Sequence, residues 1–101
     1  MTRTQTLIAT ALLTLTTQAH AITCEQQGNL AAAIMKSRQA GTALSTVLRK
    51  FQGVSDPAAR QALEAMAIRA YETPRYTTSD IKQRAIADFR ADAEVACYGS
   101  R

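Results

Sequence analysis

The most informative segment for the architecture of this chain is DIKQRAIADFRADAEVAC, residues 80–97. Its apolar residues recur every three or four positions, as on one face of an α-helix, and this face ends in a cysteine. The apolar face comprises Ile81, Ala85, Phe89, Ala93, Ala96 and Cys97. The opposite face is charged, which is typical of a solvated helix surface, and it comprises Lys82, Arg84, Asp88, Arg90, Asp92 and Glu94. Asp80 followed by Gln83 resembles a capping box, so we predict that an amphipathic helix begins there.

Three further helices are predicted upstream, and they cover about residues 24–39, 42–52 and 57–73. Gly41 and Gly53 follow the first two, and Gly41 is suited to the left-handed conformation that ends many helices. The third helix opens with Asp56 as N-cap and Pro57 in the first turn, where proline needs no hydrogen bond. Pro74 stops it.

Each upstream helix carries an apolar stripe that we expect to face a shared core. In the first helix the stripe is Leu30, Ala33, Ile34 and Ser37, with Ala31 and Met35 beside it. In the second it is Leu44, Val47, Leu48 and Phe51. In the third it is Ala59, Leu63, Met66, Ala67, Ala70 and Tyr71.

The two cysteines, Cys24 and Cys97, stand at the start of the first helix and the end of the fourth. Short connections favour antiparallel neighbours, and an up-and-down bundle brings these two helix ends together. An intermolecular bond or a redox pair is the alternative, although the Cys-x-x-Cys spacing typical of redox pairs is absent. We therefore predict an all-α fold, a small four-helix bundle stapled by one disulfide.

Residues 1–21 are predicted to be an export signal that is cleaved after Ala21. A basic start with Arg3 precedes an apolar segment over residues 7–17, and Ala19-His20-Ala21 matches the small-x-small cleavage pattern. The apolar segment is too short to span a membrane, which needs about 20 residues. The alternative is a helical arm that stays attached. The prediction gives a single helical domain over residues 22–101 and a periplasmic or secreted location, where disulfides persist.

Composition argues against most enzyme classes. The chain has 12 Lys and Arg against 8 Asp and Glu, a net charge of +4, and loss of Arg3 with the signal leaves +3. The only histidine, His20, is lost too, so no histidine-activated nucleophile would remain. Asp88 and Asp92 lie one turn apart, but their neighbours Arg84 and Arg90 favour a solvated surface over an acid/base or cation site. We predict no catalysis, cofactor or metal, no nucleic-acid partner, and a monomer or small homo-oligomer.

Two short segments are candidates for a role beyond forming the fold: Arg38-Gln39-Ala40-Gly41 and Tyr71-Glu72-Thr73-Pro74-Arg75-Tyr76. Tyrosine and arginine often carry binding energy at protein interfaces. The candidate partner-binding residues are Arg38, Gln39, Tyr71, Arg75 and Tyr76. The structural alternative is that Arg38 and Gln39 cap carbonyls at a helix end, Tyr71 lies at the core edge and Tyr76 packs over the loop.

The order of these elements, with Cys24, the Arg-Gln-x-Gly corner, Ala70-Tyr71-Glu72-Thr73-Pro74 and Cys97, resembles a group of small exported helical bacterial proteins. The resemblance covers residues 22–101 and implies a periplasmic location without a specific activity. Our functional prediction is binding to another envelope protein, as an inhibitor, adaptor or accessory subunit. Two alternatives are a periplasmic stress chaperone and a protein that binds membrane surfaces through the second helix.

Overall fold

Four α-helices and one 3-10 turn make up residues 22–100, which are the residues described by the computed structural model of this chain. The helices are α1 (Cys24–Gln39), α2 (Leu44–Lys50), α3 (Pro57–Glu72) and α4 (Ser79–Gly99), and the 3-10 turn Phe51–Gly53 follows α2. No strand occurs in this range, so the predicted all-α fold with four helices is confirmed. The predicted export signal, residues 1–21, lies outside the described residues.

Local side-chain bonds explain where two of the four described helices begin, α1 and α3. Thr23 caps α1 through a capping box, in which its hydroxyl accepts from the Gln26 amide at 3.0 Å and the Gln26 side chain accepts from the Thr23 amide at 2.9 Å. Asp56 caps α3 as predicted, and Pro57 occupies the first turn. The predicted start of α4 is wrong: Thr78 holds the N-cap position without a side-chain bond, and Asp80 lies in the first turn, where its charge suits the helix dipole.

The end of α1 explains why α2 begins two residues later than predicted. The Gly41 amide donates to the Arg38 carbonyl and the Thr42 amide to the Ser37 carbonyl, the two bonds of a Schellman motif. Gly41 has the left-handed φ of 84° that this motif requires, as the sequence predicted. Because Thr42 belongs to this motif, α2 starts only at Leu44.

A methyl group at Gly41 is expected to destabilise the protein, because an L-residue is strained at this φ and a Cβ would lie 2.8 Å from the Arg75 guanidinium carbon. We expect Gly41→Ala to lower the free energy of unfolding by about 1–2 kcal/mol in chemical denaturation. Gly53→Ala is the matched control, since Gly53 lacks a positive φ and a Cβ there meets nothing within 4 Å. Equal stability of the two variants would contradict the strain argument.

Helix α1 lies at the centre and packs against α4 on one side and α3 on the other. The buried apolar residues are Cys24, Ala31, Ile34, Met35, Val47, Ala67, Ala70 and Phe89. The predicted stripe of α1 is therefore partly wrong: Ala31 and Met35 are buried, whereas Leu30 and Ala33 are exposed. The face is rotated by one residue because α1 contacts helices on two sides. In α4, Ile81 and Ala96 are likewise exposed.

Helices α1 and α4 pair in antiparallel orientation. The predicted disulfide joins the start of α1 to the end of α4. Cys24 and Cys97 are bonded with their Cα atoms 5.5 Å apart, which confirms the cysteine prediction. Gly28 allows close approach of the two helices, since a Cβ there would lie 2.7 Å from Cγ of Glu94. Within residues 22–100, no helix combines the length and the apolar character needed to cross a membrane.

Candidate functional site

The two segments that the sequence singled out meet at the end of the molecule opposite the disulfide. The corner, residues 38–41, ends α1, and the turn, residues 71–76, leads out of α3 towards α4. Side chains of the corner bond to the backbone of the turn, and side chains of the turn reach back to the corner. We call this joint the clamp.

Gln39 is the centre of the clamp. Its side chain is only 3% exposed, the sole buried polar one among the described residues. The amide nitrogen donates to the Pro74 carbonyl at 2.9 Å, and the amide oxygen accepts from the Tyr76 backbone amide at 2.9 Å. One side chain thus satisfies a donor and an acceptor on either side of Arg75, which fixes the path of the turn.

Arg38 and Tyr71 form the second layer of the clamp. Nε of Arg38 donates to the Thr73 carbonyl at 2.9 Å, and its guanidinium lies 5.3 Å from the centroid of the Tyr71 ring, a cation–π contact. The Tyr71 hydroxyl donates to the Thr42 carbonyl at 2.6 Å. Burial raises the pKa of Tyr71 above its usual 10.0, against the opposing effect of Arg38, so the phenol stays protonated at neutral pH and keeps this bond.

Two cations converge on the backbone carbonyl of Gln39 at the end of α1. Nζ of Lys82 donates to it at 2.6 Å and Nε of Arg75 at 3.3 Å. Positive groups are favoured here because the carbonyl end of a helix carries partial negative charge. The Arg75 guanidinium also lies directly over Gly41, whose missing side chain leaves room for it.

The structure brings all five candidate partner-binding residues together, and four of them, Arg38, Gln39, Tyr71 and Arg75, direct side-chain hydrogen bonds into the molecule. The structural alternative is supported in a modified form, since Arg38 and Gln39 bind the carbonyls that follow α3 and not those of their own helix. Tyr71 is half-buried at the core edge, and Tyr76 is half-buried in the turn. Whether any of the five contacts a partner stays a prediction.

Next to the clamp lies a groove of about 350 Å³ between the turn and α4. Its floor and walls are formed by Met35, Thr73, Tyr76, Ile81, Ala85 and Phe89, and its rim by Arg84, Asp88 and Asp92. Ile81 is 43% exposed. Asp88 and Asp92 are exposed and form no ion pair within residues 22–100. We call this site the groove.

A cation–π contact joins α3 to α4 at Phe89, which also lines the groove. The Arg69 guanidinium lies 5.9 Å from the centroid of the Phe89 ring, and both residues line a smaller hollow of about 160 Å³ together with Met66 and Ala93. Helices α3 and α4 have few direct contacts, and both pack on α1.

Sequence reasoning missed the contributions of Ile81 and Lys82 to this end of the molecule. It assigned Ile81 to the core and Lys82 to the solvated face, whereas Ile81 lines the groove and Lys82 bonds to the end of α1. Helical periodicity alone could not predict the contacts of Ile81 and Lys82, since these contacts depend on how far α1 extends along α4. In the described part of the chain, no group of three or more His, Cys, Asp or Glu side chains is arranged to hold a metal ion.

Comparison of the chain with protein-family models, with curated proteins and with solved structures finds no match.

Proposed function

We propose that this chain is an exported, non-catalytic binding protein that holds a segment of another envelope protein in the groove. The observation that carries the proposal is an open apolar groove with two carboxylates on its rim that form no ion pair within residues 22–100. Such a combination of apolar floor and polar rim is typical of protein interfaces.

The charges of the groove specify the chemistry of the partner segment. Asp88 and Asp92 project from successive turns of α4, and Arg84 is the one cation among the described residues that line the groove. A partner segment that places an apolar side chain against Ile81 and a lysine or arginine beside it would match both features. Charge complementarity of this kind favours fast and specific association more than raw affinity.

The clamp supports the proposal because it makes the groove rigid before any partner arrives. Gln39 holds the Tyr76 amide, which fixes one wall, and α4 forms the other wall. A preformed site loses less conformational entropy on binding than a flexible one. The clamp residues would then act by positioning the groove and not by contacting the partner.

For the test, the full chain is produced in cells with a tag and purified in its oxidised form. The tagged protein is used for affinity capture, and its affinity for the retained partner is then measured. We expect Ile81→Ser and the double variant Asp88→Asn/Asp92→Asn each to weaken binding about tenfold, a change of about 1.4 kcal/mol. Val95→Ser is the matched control, because Val95 is also on α4 and 71% exposed but does not line the groove. Retention of the partner by all three variants alike, or no stoichiometric partner, would contradict the proposal.

The two alternative functions stay predictions. For membrane-surface binding through α2, the relevant fact is that Val47 is buried and that Leu44, Leu48 and Phe51 pack against the core. The apolar stripe of α2 is therefore occupied within the folded chain. For the chaperone alternative, no contact in residues 22–100 favours conditional unfolding over the interaction proposal.

A further inference from the structure

On the seam between the end of α1 and the first turns of α4 lies a second cleft, separate from the groove. It encloses about 330 Å³ and is lined by Lys36, Gln39, Ala40, Arg75, Lys82, Gln83 and Ile86. Three of these residues are cations, contributed by three different segments of the chain. No carboxylate is among the described residues that line it. We call this site the cationic cleft.

The charges of the cationic cleft are unbalanced. None of Lys36, Arg75 and Lys82 forms an ion pair within residues 22–100, where the single ion pair joins Arg90 and Glu94. The end of α1 offers partial negative charge equivalent to about half an elementary charge, which offsets only a small part of three full positive charges. An anion bound between them would remove this excess.

Two of the three cations are held in place before any ligand binds. Lys82 and Arg75 donate to the same oxygen, the Gln39 carbonyl, so their charged groups stay close together despite their mutual repulsion. Nε of Arg75 makes that bond, and the two terminal nitrogens of the guanidinium form no hydrogen bond within the described chain. Lys36, on the last turn of α1, is exposed, and its side-chain amine likewise forms no hydrogen bond within residues 22–100.

We infer that the cationic cleft binds a phosphate group. A phosphate offers several oxygens to donors that approach from different directions, and arginine and lysine are its usual ligands in proteins. The guanidinium edge of Arg75 and the amines of Lys82 and Lys36 supply these donors, and the Gln83 amide can supply another. The phosphate could belong to a free small molecule or to the headgroup of an anionic lipid. This site is independent of the groove.

The experiment uses the oxidised protein and two probes that separate these sources. The first probe is inorganic phosphate, with binding followed by amide chemical shifts in two-dimensional NMR. The second is flotation with phosphatidylcholine vesicles that either contain or lack phosphatidylglycerol. The variants are Lys36→Gln and Lys82→Gln, and the control is Lys50→Gln, which removes an exposed lysine from the last turn of α2. The NMR spectra also report whether each variant is folded.

Inorganic phosphate is expected to shift the amides of residues 36–41, 75 and 82–86, and each cleft variant to weaken its binding about fivefold through the loss of one charge. The control should bind as the unaltered protein does, and added salt should weaken binding in all cases. Flotation that depends on phosphatidylglycerol and is lost in Lys36→Gln and Lys82→Gln would assign the phosphate to a lipid. The inference would be overturned if phosphate caused no chemical-shift change and the protein showed no such flotation. It would also be overturned if Lys50→Gln weakened binding as much as the cleft variants do.

Discussion

Replacing both cysteines in the variant Cys24→Ser/Cys97→Ser is expected to lower the free energy of unfolding by about 4 kcal/mol. The bond joins residues separated by 73 positions, so it removes a large share of the conformational freedom of the unfolded chain. A small domain has a net stability of only about 5–15 kcal/mol, so this loss leaves little margin. The effect is measured by urea denaturation followed by circular dichroism.

The position of the bond adds a second consequence. Cys24 is the first residue of α1 and Cys97 lies near the end of α4, whereas the clamp and Lys82 hold the other end of the same helix pair. Without the bond, we expect hydrogen exchange to increase first near Cys24 and last near Gln39. The reduced form of the unaltered protein is the control and should match the double variant. A loss below about 1 kcal/mol would contradict the expected role of the bond.

The variant Gln39→Leu is expected to lose about 3 kcal/mol of stability, although leucine is apolar and similar in size. The change leaves the Pro74 carbonyl and the Tyr76 amide without their partner at a part-buried site, and each unsatisfied buried group costs about 1–3 kcal/mol. Gln61→Leu is the matched control, because Gln61 is an exposed glutamine on α3. Chemical denaturation measures the difference between the two variants.

Hydrogen exchange at a single amide separates this cause from a general loss of packing. The Tyr76 amide is protected by the Gln39 side chain, so it should exchange much faster in Gln39→Leu than in the unaltered protein. The exchange rates of amides in the middle of α1, such as that of Ile34, should change only as the global stability changes. Unchanged protection of the Tyr76 amide would show that Gln39 does not hold the turn. Gln39→Glu should be intermediate, since a carboxylate can accept from Tyr76 but cannot donate to Pro74.

The helices could be predicted from local sequence signals, and the disulfide could be predicted because only one internal pairing is possible. Asp56-Pro57 and Gly41 mark helix ends because capping bonds and backbone conformation involve residues within a few positions of each other. Two cysteines permit one internal pairing, and an even number of antiparallel helices brings their ends together. Local prediction was wrong at Thr42, which completes the Schellman motif at the end of α1, and at Asp80, which lies in the first turn of α4 and not at its N-cap.

The clamp and the two clefts depend on contacts between distant parts of the chain. The amino-acid pattern picked out Arg38 and Gln39, but their partners Thr73 and Pro74 lie 35 positions away. The rotation of α1, which buries Met35 and exposes Leu30, results from packing against two helices at once. Helical periodicity gives the apolar face of one helix, whereas the angle at which three helices meet sets which residues line a groove. The helix ends at Asp56 and Gly41 and the cysteine pairing could therefore be predicted from residue order, whereas the burial of Gln39 and the charge imbalance around Lys82 arose only from tertiary packing.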